Sequence, residues 1–188
     1  MTLTGRKIVI GLSGGIACYK IPYLVRALVK AGAEVKVVMT QNAMKFITPL
    51  TLETVSRNPV HCDMFAERDK SFIQHLELGH WADLIVIAPA TANILAKLSH
   101  GICDDLLTTV MCATRKPVMV APAMNPGMWD NPITRKNLQC LKDIGYHFVG
   151  PVEGEMAENQ VGMGRMVEPP ELFEAVKTFF AKTSKKKP

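Results

Sequence analysis

Residues 7–16 read KIVIGLSGGI: an apolar run from Lys7 to Leu12, two glycines after Ser13, then a helical pattern carrying Leu24, Val25 and Leu28. A short apolar run that stops at small residues and gives way to helical periodicity predicts a strand, a tight turn and a helix. Working outward, residues 34–39 (EVKVVM), 82–88 (ADLIVIA) and 116–121 (KPVMVA) repeat the apolar run, and 147–149 (HFV) offers a last one. The runs at 82–88 and 116–121 lack alternation, which is how strands covered on both faces read. Helices are expected at 91–99, 134–144 and 171–181, and residues 40–56 read as helix with a break at Pro49. Pro22 leaves open whether the first helix starts at Ile16 or is kinked. Repeated β-then-α order with right-handed crossovers predicts an α/β fold, a three-layer α/β/α sandwich around a parallel Rossmann-like (flavodoxin-like) sheet.

At 188 residues and 48% apolar, the chain is the size of one globular domain, expected over 1–181. Residues 182–188 hold four lysines and read as a basic tail or the start of a linker, and without them the net charge of +5 falls close to neutral. With aromatics at only 6%, the stacking surface of a nucleic-acid binder is missing. Five cysteines, an odd number with no CxxC pairing, predict reduced thiols mostly in the core and no metal site. The longest uncharged apolar stretch, 84–96, is broken by Pro89, so no membrane span is expected and the protein reads as cytoplasmic. Residues 151–169 contain three glycines and no clear period, which predicts a lid loop.

In open parallel sheets the ligand sits beyond the carboxyl ends of the strands. Four such ends carry more than packing residues: Ser13-Gly14-Gly15, Thr40, Thr91 with Asn93, and the PAMN run at 122–125. The glycine turn has neither GxGxxG spacing nor the Lys-Ser/Thr pair of a phosphate loop, so it supports neither NAD nor ATP. Its small residues could still bring backbone N–H groups to a phosphate at a helix N-terminus, or serve only as a tight turn. Thr91 and Asn93 could cap the next helix or meet the polar edge of a heteroaromatic ring. Asn125 could donate to a carboxylate or close an Asx-turn. His75, among apolar neighbours in IQHLEL (73–78), is either structural or a proton-transfer group.

Six motifs, GLSGGIACYK (11–20), Thr40, HLELGHWADLIVIAPATAN (75–93), GICDDLLTT (101–109), PAMNPGMW (122–129) and GMGRMVEP (162–169), together resemble the homo-oligomeric flavin-containing cysteine decarboxylases. Within them, the resemblance is to the branch that acts on 4′-phospho-N-pantothenoylcysteine in coenzyme A biosynthesis. It implies FMN as cofactor, with Ser13, Gly14, Gly15 and Ile16 near its phosphate and Thr40, Thr91, Asn93 and Ala123 around the flavin. It implies His75 as the catalytic histidine, Asn125 as the binder of the substrate carboxylate, and Met124 beside it. The implied reaction oxidises the CH₂–SH carbon so that the carbanion left by CO₂ has an electron sink, then re-reduces the enethiol to 4′-phosphopantetheine. The implied assembly is a trimer or dodecamer with a flavin site shared between subunits, and the implied partner is a fused or separate phosphopantothenoylcysteine synthetase. Where relatives carry a lid cysteine as proton donor, this chain has Glu158, which could donate if the lid desolvates it. Peptidyl-cysteine decarboxylases that release an enethiol and non-catalytic phosphatase regulators share the scaffold and stay as alternatives, whereas flavin prenyltransferases share the fold but rely on site features with no counterpart placed in this sequence.

Overall fold

The computed structural model describes residues 2–65, 73–155 and 161–184. β1 (Lys7–Leu12) leads through the glycine turn into a 3-10 turn, Ile16–Lys20, and then α1 (Ile21–Lys30). Pro22 lies in the first turn of α1, where its missing N–H has no helical partner to lose, so the segment is a tight turn followed by a helix and not one kinked helix. After β2 (Glu34–Met39), only a short 3-10 turn, Ala43–Lys45, precedes α2 (Pro49–Ser56). Pro49 holds Thr48 in extended backbone, so the helix expected from residue 40 begins nine residues later.

The chain continues through β3 (Val60–His61), α3 (Gln74–Trp81), β4 (Leu84–Ala90), α4 (Ala92–His100), α5 (Leu106–Ala113), β5 (Val118–Pro122), α6 (Pro126–Asp130), α7 (Pro132–Asp143) and β6 (His147–Phe148). It ends in an antiparallel pair, β7 (Val152–Glu155) with β8 (Val161–Arg165), and α8 (Pro169–Ser184). The expected loop at 151–169 is therefore partly a two-stranded ribbon. Its glycines hid the strand pattern, since they supply no side chains to alternate.

Six parallel strands form one sheet in the order β3-β2-β1-β4-β5-β6, so the chain reverses direction across the sheet between β1 and β4. That is the doubly wound order, and its switch point is where ligands bind. Alternate residues of the central strands feed two cores. Ile8, Ile10, Leu12, Val37, Leu84 and Val86 pack under α1, α2 and α8, while Val9, Ile85, Ile87 and Val120 pack under α3, α4, α5 and α7. Burial on both faces is what the runs without alternation encode. Gly11 serves this packing: a Cβ there would meet Leu107 Cδ1 of α5 at 2.5 Å.

The thiols do not follow the sequence expectation. Cys18 is buried and Cys62 half-buried, but Cys103, Cys112 and Cys140 are exposed on loop and helix surfaces. Among the described residues, no helix is long and apolar enough to cross a membrane.

Candidate functional site

A crevice of about 910 Å³ opens at the carboxyl ends of β1, β2, β4 and β5. Ser13, Gly14, Gly15 and Ile16 from the first turn, Thr40 after β2, Thr91 and Asn93 after β4, and Ala123, Met124 and Asn125 after β5 all line it. Hydrogen bonds between neighbouring strand ends hold these segments together. The Ser13 hydroxyl donates to the Pro89 carbonyl at 2.7 Å and accepts from the Thr91 N–H at 3.0 Å, with the Thr91 hydroxyl 3.1 Å away. The Thr91 side chain also accepts from the Ile94 N–H, capping α4. Thr40 accepts from the Ala43 N–H, and the Ala123 N–H donates to the Ala90 carbonyl.

These contacts engage the hydroxyls of Ser13 and Thr91 in structure, which leaves the turn's backbone as the anion-facing part. Among the described residues, the N–H groups of Gly14 and Gly15 have no backbone acceptor. A Cβ on Gly14 would meet Asn42 Cβ at 2.4 Å, so the turn closes against the segment after β2 only because a glycine stands there. A crevice wall of unpaired N–H groups at a turn without side chains fits a phosphate.

Asn125 caps α6, its side-chain oxygen accepting from the Gly127 N–H at 2.7 Å. The β7–β8 ribbon docks beside it: the Met124 N–H donates to the Gly164 carbonyl at 3.0 Å, and a Cβ on Gly162 would strike Pro126 at 2.8 Å. Gly164, Arg165 and Met166 thereby become part of the crevice wall. At its floor Lys20, a residue only 4% exposed, donates from its ammonium to the Met166 carbonyl at 3.2 Å and to Glu168 at 2.7 Å, and Arg165 donates to the same Glu168 oxygen at 2.7 Å. The bond from Lys20, with that from Arg165 beside it, holds the Glu168 carboxyl below its ordinary pKa. On the opposite side Lys97 donates to both oxygens of Asp104 at 2.8 Å, which depresses that carboxyl in the same direction.

The residues singled out in the sequence thus come together, with two exceptions. His75 lies half-buried on α3, which packs against α5, and does not line the crevice of its own chain. Glu158 lies outside the described residues. Sequence reasoning gave no role to Lys20 or Arg165, although both stand inside quoted motifs. The signal was a lysine in an otherwise apolar turn, whose burial only the fold reveals.

Comparisons with known proteins agree with this architecture. The chain is 46% identical over 179 residues to the coenzyme A biosynthesis bifunctional protein CoaBC of Bacillus subtilis, covering 95% of this chain and 44% of the relative. It therefore spans less than half the length of that curated relative. Among solved structures it resembles a PPC decarboxylase mutant complexed with pantothenoylaminoethenethiol, with a TM-score of 0.85 and 34% identity over 94% of this chain and 98% of that one. It also resembles the FMN binding protein AtHal3, with a TM-score of 0.82 and 33% identity over 94% and 97% of the two chains. Residues 1–181 match the family model described as Flavoprotein, and with the glycine turn, the PAMN loop and the ribbon built around one crevice, the chain belongs to the flavoprotein family.

Proposed function

We propose that this chain is an FMN-dependent decarboxylase that converts 4′-phospho-N-pantothenoylcysteine to 4′-phosphopantetheine. The observation that carries this reading is the crevice itself, which joins a glycine turn whose N–H groups have no backbone acceptor to Asn125, in a fold that overlays a PPC decarboxylase along 98% of that protein. The residues present fit FMN. The N–H groups of Gly14 and Gly15, with Ile16 at the start of the 3-10 turn, would hold a phosphate, and Thr40, Thr91, Asn93 and Ala123 would surround the ring system. Bound there, FMN would supply reversible two-electron chemistry at the carbon that bears the thiol.

The chain's own groups do the rest. The Asn125 amide orients the substrate carboxylate from the PAMN loop, with Met124 packing beside it. The β7–β8 ribbon covers the site as a lid, and Glu158, between its two strands in the sequence, protonates the enethiol intermediate. His75 moves the proton that accompanies oxidation, acting on the crevice of a neighbouring copy. Ile16 and Tyr19 at the crevice and Tyr23 beyond it are 59%, 55% and 69% exposed, which supports a subunit contact along this rim and hence a trimer or larger homo-oligomer. Residues 1–181 form the catalytic domain, working in the cytoplasm, and the bifunctional CoaBC relatives support a synthetase as fused or separate partner.

The test is incubation of the purified yellow protein with 4′-phospho-N-pantothenoylcysteine and mass analysis of the product. Loss of CO₂ with no net loss of hydrogen is expected. Glu158→Gln should still release CO₂ but accumulate a product two hydrogens lighter, and unchanged formation of 4′-phosphopantetheine by that variant would move the proton donor elsewhere. Accumulation of the lighter product by the unaltered protein would instead favour an oxidative peptidyl-cysteine type of reaction.

A further inference from the structure

The two ends of α3 are held in different ways. Its second half is packed: Leu78 and Gly79 are buried, and the hydroxyl of Thr114, at the end of α5, donates to the Gly79 carbonyl at 3.0 Å. Lys36 of β2 pairs with Glu77 at 2.8 Å and lies over the Trp81 ring. The first turn, which carries His75, has no buried residue. Its N-cap, Ile73, is 59% exposed and gives no side-chain cap, and Gln74, His75 and Leu76 are half-buried. A helix end without a cap or a packed face frays unless something else ties it down.

The tie comes from the first residue of the helix. The Gln74 side-chain N–H donates to Nδ1 of His61 at 2.8 Å, which makes Nδ1 the unprotonated nitrogen of that ring. His61 is 6% exposed, and its backbone pairs with Val38 of β2. It ends β3, so it stands at the carboxyl edge of the sheet, the edge at which the crevice opens. The chain runs from Trp81 into the start of β4, so α3 descends from that edge and His75 sits near its top. Among the described residues, the Gln74 side-chain oxygen is buried and accepts from no group. A half-satisfied buried amide is a liability for stability, because an apolar side chain in its place would leave nothing unpaired. A group held against stability points to a position where function sets the geometry.

We propose that His61 and Gln74 are a positioning pair for His75: the bond between them holds the first turn of α3 so that the adjacent imidazole keeps the place from which it acts on substrate. The inference rests on the reading of His75 as the group that moves a proton. Neither His61 nor Gln74 lines the crevice of its own chain, so the pair works through the helix and not by contact with FMN or substrate there. A misplacement of about 1 Å in a reacting group can lower turnover about a hundredfold, so loosening one helical turn is enough to be read in kcat.

The test measures kcat, KM, flavin content and melting temperature for the FMN-loaded protein and for His61→Ala, Gln74→Ala, their double variant and His61→Asn. Each alanine variant is expected to lower kcat at least about tenfold, with KM changed by less than about twofold and flavin content equal to the parent's. The double variant should lose no more than the larger single loss, since the two side chains make one bond. His61→Asn should return most of kcat, because its amide oxygen can stand near the place of Nδ1 and accept from Gln74. Alanine is a good helix former, so Gln74→Ala should hold its melting temperature within a few degrees while losing turnover, a split that a purely structural role would not give. That variant also keeps the proposal open to refutation should His61→Ala fail to fold. The parent's kcat in Gln74→Ala, losses that multiply in the double variant, or a His61→Asn no better than His61→Ala would each overturn the pair and leave the decarboxylase reading standing. Full activity in His75→Asn would instead show that His75 moves no proton, and the pair would fall with that reading.

Discussion

At the scale of single residues, the segments that line the crevice are joined by side chains whose polar atoms serve the fold. Ser13 is the clearest case, because its hydroxyl joins the ends of β1 and β4. Ser13→Ala would leave the Thr91 N–H without its acceptor, and removing one partner of a part-buried pair should cost about 1–3 kcal/mol. Chemical denaturation of the FMN-loaded protein would measure it, and a loss within experimental error would mean the bond carries no net stability. Asn125 has a structural duty as the cap of α6 and a proposed one toward the substrate carboxylate, and two substitutions separate them. Asn125→Ala should lose both the cap of α6, about 1 kcal/mol, and substrate affinity. Asn125→Asp keeps an oxygen that can accept from Gly127, so it should hold the melting temperature while raising KM more than the alanine variant, through carboxylate repulsion. Equal KM changes would restrict Asn125 to its cap. The sequence showed that these residue types stand at strand ends. It could not show that Ser13 faces Pro89 and Thr91, because that contact joins positions more than seventy residues apart and depends on which strands are neighbours.

At the scale of elements, legibility tracked how strongly each segment depends on its own side chains. β1, β2, β4 and β5 were plain because buried parallel strands are dense in apolar residues. α3 and α5 were not read. α3 is short and carries polar residues, with only Leu78 and Gly79 buried, and α5 is apolar nearly all round because it lies under other elements. The N-terminal signature of α5, Asp105 with Thr108 in a reciprocal cap, was available in the sequence as an Asp three residues before a threonine. The ribbon's attachment has a measurable pH signature. Glu168 has its pKa lowered by Lys20 and Arg165, so its contribution to stability is complete above the unfolded carboxyl value, about 4.3, and is lost as pH falls through the lower folded value. Thermal melts from pH 6 downward should therefore show acid destabilisation in the parent beginning below about pH 4.3 that is shallower in Glu168→Gln. Identical pH slopes would mean that Glu168 is no stronger an acid in the folded chain than in the unfolded one.

At the scale of the whole molecule, the position of His75 decides what the functional unit is. The crevice gathers Asn125 and the glycine turn of its own chain, but His75 sits on α3 on the other side of the sheet from α1 and α8. His75 does not line this crevice, so the catalytic role proposed for it would place it in the site of another copy across a head-to-tail contact. This arrangement makes a strong prediction. His75→Asn and Asn125→Asp proteins, assayed at a substrate concentration too low for the raised KM of the aspartate variant and so each nearly silent alone, should regain activity when mixed, dissociated and reassembled, because some interfaces then pair an intact His75 with an intact Asn125. With equal amounts and random assembly of a ring, about one interface in four is restored, so activity near a quarter of the parent is expected. The assay follows CO₂ release by the reassembled mixture, with each variant put through the same cycle as its control. A mixture as inactive as its components would show that each chain completes its own crevice, which would require α3 to move, or would return His75 to a structural role. Recovery would locate the catalytic unit at the junction of two chains, with the exposed rim of Ile16, Tyr19 and Tyr23 as the first surface to probe, since a charge at Tyr23 should then abolish recovery without changing the fold of the separate chains.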